Sequence, residues 1–397
     1  MDIIVQKFGG ATLSDINKIK LVAKRICELK KSKNNIIIIV SAMGKTTDSL
    51  IWQSYDLSPH PDQRELDVLL STGEIISSAF LAIALNELGC PAVSFNGSQA
   101  GIMTDEQHSN ANIQAIEGHR ISRAMKKGKV VILAGFQGID YEGDITTLGR
   151  GGSDTTALAI AAHFQAERCE ILKDVPAIYS ADPKVVADAL PITKVSYDQL
   201  LDMTFWGAKV LQYRSVEIAK KYKVPLYVGP AHTTENGTTV EDIPMIESSN
   251  VIALNSHENV LRIHSPLKTL SESIDWLKKI LLNKNIPFPQ LLHTERAEGG
   301  IDMFLTAPIE NLGSIANEMG VESIINEGLC SVTTTCQGAT RPELLEKVVN
   351  ILEKNNIKVF YMMISSMSLT VFIEPIYRIE AIKSLHRLIL PKHLKTP

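Results

Sequence analysis

The sequence predicts an α/β protein: a mostly parallel sheet sandwiched by helices, followed by two smaller modules of βαββαβ order. Three observations carry this. Short β-branched runs alternate with amphipathic helical stretches over the first two-thirds of the chain. Several of these strands end in polar, glycine-rich turns, where ligands of parallel sheets collect. Past the turn-rich segment Thr233-Thr-Glu-Asn-Gly-Thr238 and Ser248-Ser-Asn250 the texture changes, and one element order occurs twice. At 397 residues the chain is long for a single core, so more than one domain is expected.

Ile3-Ile-Val-Gln-Lys-Phe8 reads as a strand ending in Gly9-Gly10. From Ser14 to Lys31, Ile16, Ile19, Leu21, Val22, Ile26 and Leu29 recur at helical spacing with Lys and Arg between them. Ile36 to Val40 is an unbroken buried strand, followed by the turn Ser41-Ala-Met-Gly44. Glu65 to Leu88 predicts a helix interrupted at Ser71-Thr-Gly-Glu74. Ala92-Val-Ser-Phe95, Val130-Val-Ile-Leu-Ala134, Cys169 to Asp174 and Val224 to Val228 are further strands. The first repeated unit runs from Asn250 to about Gly320: strand Val260 to His264, helix Ser271 to Asn283, strand Ile301 to Leu305. The second spans Ser323 to Pro391: strand Cys330 to Thr334, helix Pro342 to Asn355, strands Val359 to Ile364 and Ser368 to Ile373, helix Ile379 to Leu390. This order suggests two ferredoxin-like sensor modules in tandem.

Composition excludes several classes. With 45% apolar and 21% charged residues the chain is of ordinary globular type. A net charge of −4 lacks the basic excess of a nucleic-acid-binding surface. The longest aliphatic run, Ile36 to Val40, is far too short to cross a bilayer, and no signal peptide is expected. The five cysteines show no C-x-x-C spacing and read as reduced thiols of a cytoplasmic protein rather than a metal site.

The most informative stretch is Ile145-Thr-Thr-Leu-Gly-Arg-Gly-Gly-Ser-Asp-Thr-Thr-Ala-Leu-Ala-Ile-Ala-Ala162. Gly151 and Gly152 let backbone approach an oxyanion, and Ser153-Asp-Thr-Thr offers helix N-cap chemistry before an apolar run. A helix N-terminus suits phosphate or carboxylate, and Arg150 adds a planar fork that matches a carboxylate.

Lys7-Phe-Gly-Gly10, Ser41-Ala-Met-Gly-Lys-Thr-Thr-Asp48, Ser71-Thr-Gly-Glu74, Ala134-Gly-Phe-Gln-Gly138 and Thr146-Thr-Leu-Gly-Arg-Gly-Gly-Ser-Asp-Thr-Thr156 occur in an order and spacing that resemble the aspartate kinases. Asp174-Val-Pro, Tyr179-Ser-Ala-Asp-Pro183 and Gly207-Ala-Lys-Val-Leu211 extend the resemblance over about residues 2–240, and residues 250–397 resemble the paired ACT modules of that family. It implies an amino-acid-kinase catalytic domain at 1–240 and ACT-like regulatory modules at 250–320 and 321–397. It also implies transfer of the ATP γ-phosphoryl group, with Mg²⁺ carried on the phosphates and water, to the β-carboxylate of L-aspartate. The product, 4-phospho-L-aspartate, would lead toward lysine, threonine and methionine or a specialised product. A homodimer and a possible amino-acid effector at the ACT-like modules follow, with no nucleic-acid or membrane partner.

A carboxylate acceptor is ionised at neutral pH and needs no general base, so alignment and positive charge must carry catalysis. Under the resemblance Lys7, Asp154 and Lys209 are catalytic. Lys7 reaches the phosphates, Asp154 orients Lys7 and the ammonium or Mg²⁺ shell, and Lys209 stabilises the leaving phosphate. Arg150 and Glu74 bracket the amino acid at its carboxylate and ammonium, with Ser41, Thr47, Gly151, Gly152 and Ser153 completing the substrate site. Lys7, Phe8, Gly9, Gly10, Lys173, Asp174, Tyr179, Asp182 and Lys184 form the nucleotide site. No G-x-x-x-x-G-K-[ST] run occurs, so the cradle is not a P-loop. Structural readings stand beside these: Lys7 as a strand-end lysine, Glu74 and Asp154 as helix caps, Lys209 as a solvated face, and His60, His108, His119 and His163 as structural or exposed.

Several positions leave the family pattern. Ala11 and Thr12 stand where Thr-Ser is usual, Lys173 where Thr is usual, Ala177 for Gly, Lys184 for Arg, and Gln212-Tyr213 for His-Pro. Both regulatory modules also lack the usual Pro-Gly turn before the helix, and most of these changes ring the nucleotide and effector sites, whereas Glu74, Arg150 and Asp154 are retained. Alternatives are a related kinase for another carboxylate, or a non-catalytic effector-binding homologue.

Overall fold

A computed structural model describes residues 3–32, 35–233, 237–242, 251–282, 288–306, 324–336, 340 and 342–389. The expected domain limits at 250 and at 320–321 fall outside these residues, as does Leu390 at the end of the last expected helix. The chain divides into two compact units. The first comprises residues 1–178, 191–204 and 209–244; the second comprises 179–190, 205–208 and 245–397.

The first unit begins with strand β1 (Ile3–Phe8), helix α1 (Ile16–Ser32) and strand β2 (Asn35–Val40). Helices α2 (Thr46–Leu57) and α3 (Gln63–Glu87) and strand β3 (Ala92–Phe95) follow. Next come α4 (Gly97–Ala100), β4 (Ile102–Thr104), β5 (Ile113–Ile116), α5 (His119–Lys126) and β6 (Val130–Ala134). Then come β7 (Gln137–Ile139), β8 (Ile145–Thr147), α6 (Gly152–His163), β9 (Arg168–Lys173), β10 (Ile178–Tyr179), β11 (Pro191–Ile192), β12 (Lys194–Val195), α7 (Tyr197–Phe205), α8 (Tyr213–Lys221), β13 (Leu226–Pro230) and β14 (Thr238–Val240); Tyr179 and Phe205, the last residues of β10 and α7, are counted with the second unit. The main sheet has the order β12-β14-β13-β9-β1-β2-β6-β3. All its pairings are parallel except β13 with β14. A second sheet, β5-β4-β7-β8, lies beside it in the chain order.

Ile36–Val40 are wholly buried, as a continuous aliphatic run in a sheet covered on both faces must be. On one face α1 supplies Ile19, Val22, Ala23 and Ile26, and α3 supplies Leu81 and Leu85, against Phe8, Ile36, Ile38 and Val40. Alternation along β1 then turns Lys7 to the opposite face, where α6 lies. α3 is continuous from Gln63 to Glu87, correcting the expected interruption at Ser71-Thr-Gly-Glu74. Ser71 and Thr72 donate their hydroxyls back to the Val68 and Leu69 carbonyls, so the polar run is satisfied within the helix. By length and composition alone α3 could cross a membrane, but half of its apolar window is buried inside this unit.

The second unit holds β15 (Val251–Ser265), α9 (Leu270–Leu282), β16 (Gln290–Ala297), β17 (Gly300–Thr306) and β18 (Ile324–Cys336). Helix Pro342–Lys354, strands β19 (Tyr361–Ile364) and β20 (Ser368–Ile373), and helix Arg378–His386 complete it. Both repeated units share one antiparallel sheet of order β16-β17-β15-β18-β20-β19, with β15 and β18 as its central pair. Leu277 and Leu281 of α9 pack on Leu261, Ile263 and Met303. Leu344, Val348 and Leu352 pack on Val332, Leu369 and Val371, so each helix covers its own half of the sheet. The edge strand β16 was not expected; its mixed, half-exposed sequence has no clean alternation. All five cysteines are free thiols.

Candidate active site

The site forms where β1, β2 and β9 end and α6 begins. Lys7, the penultimate residue of β1, places Nζ 2.7 Å from Asp154 Oδ1, with both residues buried. The contact is an ion pair rather than an aligned hydrogen bond. Asp154 lies in the first turn of α6, where the helix dipole also favours negative charge.

The turns after the strands are tied together. The Ser41 N–H donates to the Phe8 carbonyl at 3.1 Å and the Gly44 N–H to the Gly10 carbonyl at 3.0 Å. A Cβ at Gly10 would lie 2.7 Å from the Ala42 carbonyl oxygen, so only glycine permits this approach. The Phe8 side chain belongs to the core, which leaves its backbone at the turn.

Glu74 enters from α3. Its Oε1 accepts the Ala42 N–H at 3.0 Å, while Oε2 is buried with no hydrogen-bond partner. Burial pushes its pKa up to about 7, against the lowering influence of the Ala42 N–H, its own N–H and the Lys7 ammonium. Gly73 makes the approach possible: a Cβ there would sit 2.8 Å from the Ala42 Cβ. A buried carboxylate oxygen without a partner is costly and calls for a cation or donor. Ser41 and Thr47 are half-buried beside this turn.

α6 is capped by Gly151 in the left-handed region (φ 72°), with no side-chain cap. This corrects the expected cap from Ser153-Asp-Thr-Thr. Those residues lie inside the helix and are buried, and Asp154 turns to Lys7 instead. The Gly152 N–H donates to the Gly149 carbonyl at 3.0 Å, which closes the turn. Arg150 is exposed between two glycines at φ 73° and 72°.

Two side chains hold this loop: Asp67, which sequence reasoning passed over, and Gln212, noted there only as a departure from the family pattern. Asp67, on α3 two turns before Glu74, is fully buried. It accepts the Thr147 N–H at 3.0 Å and Thr147 hydroxyl at 2.5 Å, lies 3.0 Å from His108 Nδ1, and accepts the Ser109 N–H at 2.9 Å. An acid in the apolar stretch of α3, seven positions from Glu74, was the signal available in the sequence. Gln212 lies against Gly151 so closely that a Cβ on the glycine would be 1.9 Å from Gln212 Cγ.

Lys173 ends β9, and its half-buried side chain donates from the ammonium to the Val210 carbonyl. Asp174 and Lys209 are exposed residues of the same unit. Tyr179, Asp182 and Lys184 belong to the second unit. There Ala181 and Val186 enter the core and the Asp182 carboxylate accepts the Lys184 N–H at 2.9 Å. The structure thus brings Lys7, Asp154, Glu74, Ser41 and the glycine turns together within the first unit.

The sequence profile of the amino acid kinase family matches residues 2–230. An aspartokinase of Bacillus sp. (strain MGA3) is 38% identical over 400 residues, covering 98% of this chain and 97% of that one. The chain belongs to the aspartokinase family. A second aspartokinase, from Geobacillus stearothermophilus, is 38% identical over 393 residues and 97% of each chain. The solved structure of E. coli aspartokinase III with aspartate and ADP superposes with a TM-score of 0.80 over 98% of this chain and 100% of that one. At 22% identity that likeness shows the aspartokinase fold.

Proposed function

We infer that this chain is an ATP-dependent aspartate kinase that transfers the γ-phosphoryl group to the β-carboxylate of L-aspartate, giving 4-phospho-L-aspartate. The observation that carries the reading is the buried Lys7–Asp154 pair beside two glycine turns, with the unpartnered Glu74 Oε2 facing the same region. Named aspartokinases that match along the whole chain support it.

Lys7 supplies positive charge to the phosphoryl oxygens, and Asp154 holds that ammonium in place from α6. Gly10 lets the turn after β1 pack against the Ala42–Gly44 turn, since a Cβ there would lie 2.7 Å from the Ala42 carbonyl oxygen. Glu74 Oε2 takes the substrate ammonium and Arg150 its α-carboxylate, with Ser41, Thr47, Gly151, Gly152 and Ser153 around them. The acceptor carboxylate is already ionised, so no residue removes a proton from it. Lys173 and Asp174 serve the nucleotide, and Lys209 the leaving phosphate.

Mg²⁺ carried on the phosphates would supply charge neutralisation, and Asp154, a single buried carboxylate, would hold it through water rather than in a full protein cage. The reading extends to a cytoplasmic homodimer with an amino-acid effector on the second unit and a place at the head of lysine and threonine synthesis. E. coli aspartokinase III has been solved with lysine and aspartate in a T-state.

The test is ATP consumption with L-aspartate, L-glutamate and N-acetyl-L-glutamate, trapping acyl phosphate with hydroxylamine. Hydroxamate from aspartate alone is expected. Hydroxamate from another acceptor alone, or from none, overturns the reading.

A further inference from the structure

β9 runs parallel beside β1, with Leu172 opposite Phe8, and the Gly9 N–H donates to the Leu172 carbonyl at 3.4 Å. Lys173, the last residue of β9, therefore lies beside the Gly9-Gly10 turn. Its own carbonyl accepts the Ala231 N–H at 2.8 Å, which fixes the backbone from the β13 side. The side chain is half-buried, and its ammonium donates to the Val210 carbonyl. Burial lowers its pKa; the Asp154 carboxylate works against this, the Lys7 ammonium adds to it, and Asp174 works against it.

Phe8 and Leu172 enter the core on one face of the sheet, so alternation along the paired strands turns both Lys7 and Lys173 to the other face, where Asp154 lies. Asp154 is the buried carboxylate between these two ammonium groups; Asp174 is exposed, and Glu74, pushed up to about 7, is only partly ionised at neutral pH, so positive charge is in excess in the buried region. An ammonium carries three donors, and a neutral carbonyl is a weak partner for it. A group of three equatorial phosphoryl oxygens at the Gly9-Gly10 turn satisfies both conditions. It supplies the missing negative charge and a charged acceptor.

We propose that Lys173 is a second phosphoryl-binding cation whose ammonium leaves the Val210 carbonyl for the oxygens of the γ-phosphoryl group during its transfer to the acceptor carboxylate. This deepens the kinase reading and rests on it. Lys7 and Lys173 then hold the group from the adjacent strands β1 and β9, and Asp154 keeps the two cations from repelling each other apart. Lys173 makes no covalent bond and transfers no proton; the bond formed is from the aspartate carboxylate oxygen to phosphorus, and the bond broken is from phosphorus to the ADP oxygen.

The experiment compares the full-length wild type with Lys173→Met, Lys173→Thr and Lys173→Arg, measuring kcat and KM for ATP by the hydroxamate assay, and ADP affinity by calorimetry. Lys173→Met and Lys173→Thr are expected to lower kcat by at least about 30-fold, with ADP affinity and the KM for ATP changed less than about 3-fold. Lys173→Arg restores part of kcat. It also moves the alkaline fall of kcat to higher pH, because a guanidinium keeps its charge where a buried ammonium loses it. A kcat within about 3-fold of wild type in Lys173→Met overturns the proposal, as does a raised KM for ATP at unchanged kcat. If the methionine and threonine variants do not fold, the pH profile of Lys173→Arg decides, and an unshifted alkaline limb overturns the proposal. A wild type that forms no aspartyl hydroxamate removes the kinase reading itself, which the variant series with active wild type leaves standing.

Discussion

The Lys7 ammonium and the Asp154 carboxylate meet 2.7 Å apart in a buried setting, one from the end of the first strand and the other from the first turn of α6. They are 147 positions apart in the chain, and the parallel sheet is what brings them together: β1 supplies the lysine on the face that α6 covers. A buried pair of this kind is no strong source of stability. Its arrangement next to two glycine turns makes sense as a phosphoryl site.

Asp154→Asn keeps the shape of the side chain and removes its charge, leaving the Lys7 ammonium buried without its partner. We expect a loss of stability of about 3 kcal/mol, of the size found when one partner of a buried pair is removed, read by urea denaturation. We also expect kcat to fall by about 100-fold or more while ATP still binds. A variant with wild-type kcat would remove Asp154 from the site.

Glu74 makes aspartate binding depend on pH. Its carboxyl is pushed up to about 7, so below that pH it holds a proton and cannot receive an ammonium. The KM for aspartate is expected to rise as pH falls below about 7, and Glu74→Gln to raise KM about 10-fold or more and flatten that dependence. For the free protein the sign is opposite to that of an ordinary paired acid. The folded state binds the proton more tightly than the unfolded chain, so this group's contribution to stability is present at low pH and is lost as pH rises toward 7. A KM for aspartate that does not change between pH 6 and pH 8 would contradict the assignment.

Gly151 cannot carry a side chain. Its φ is 72° and a Cβ would overlap Gln212. Gly151→Ala is expected to cost about 1–3 kcal/mol and to raise the KM for aspartate through the neighbouring Arg150. Gln212→Ala in the same chain removes the overlapping Cγ and should recover part of the loss, leaving the backbone strain. A double-mutant cycle measures the coupling, and strictly additive effects would show that the two residues do not meet.

Asp67→Ala leaves the Thr147 and Ser109 N–H groups without their acceptor. A loss of about 2–4 kcal/mol is expected in denaturation, together with a higher KM for aspartate, since the segment from Thr147 leads directly into the Arg150 loop. Unchanged stability would mean that water replaces the carboxylate.

Much of this arrangement is legible in the chain. Lys7 stands at the end of a β-branched run and before two glycines, a position that marks the carboxyl edge of a strand. The strands from Ile36 and Val130 announce themselves by unbroken aliphatic runs, and α1 by its period. What escaped reading depends on distant contacts. The Ser71-Thr-Gly-Glu74 run looks like a break, yet Gly73 serves the close approach of Ala42, which only the folded sheet supplies. Asp67 looks anomalous in an apolar helix until Thr147, 80 positions later, comes to meet it. The Ser153-Asp-Thr-Thr run has the residues of a cap, but Asp154 is drawn to Lys7 and the left-handed Gly151 takes the capping position.

The most direct measurement is hydroxylamine-trapped acyl phosphate from L-aspartate and ATP, made by wild type and Lys7→Ala side by side at matched thermal stability. The account predicts aspartyl hydroxamate from the wild type and a loss of at least about 100-fold in the variant. Equal product from both proteins, or none from either, would contradict it.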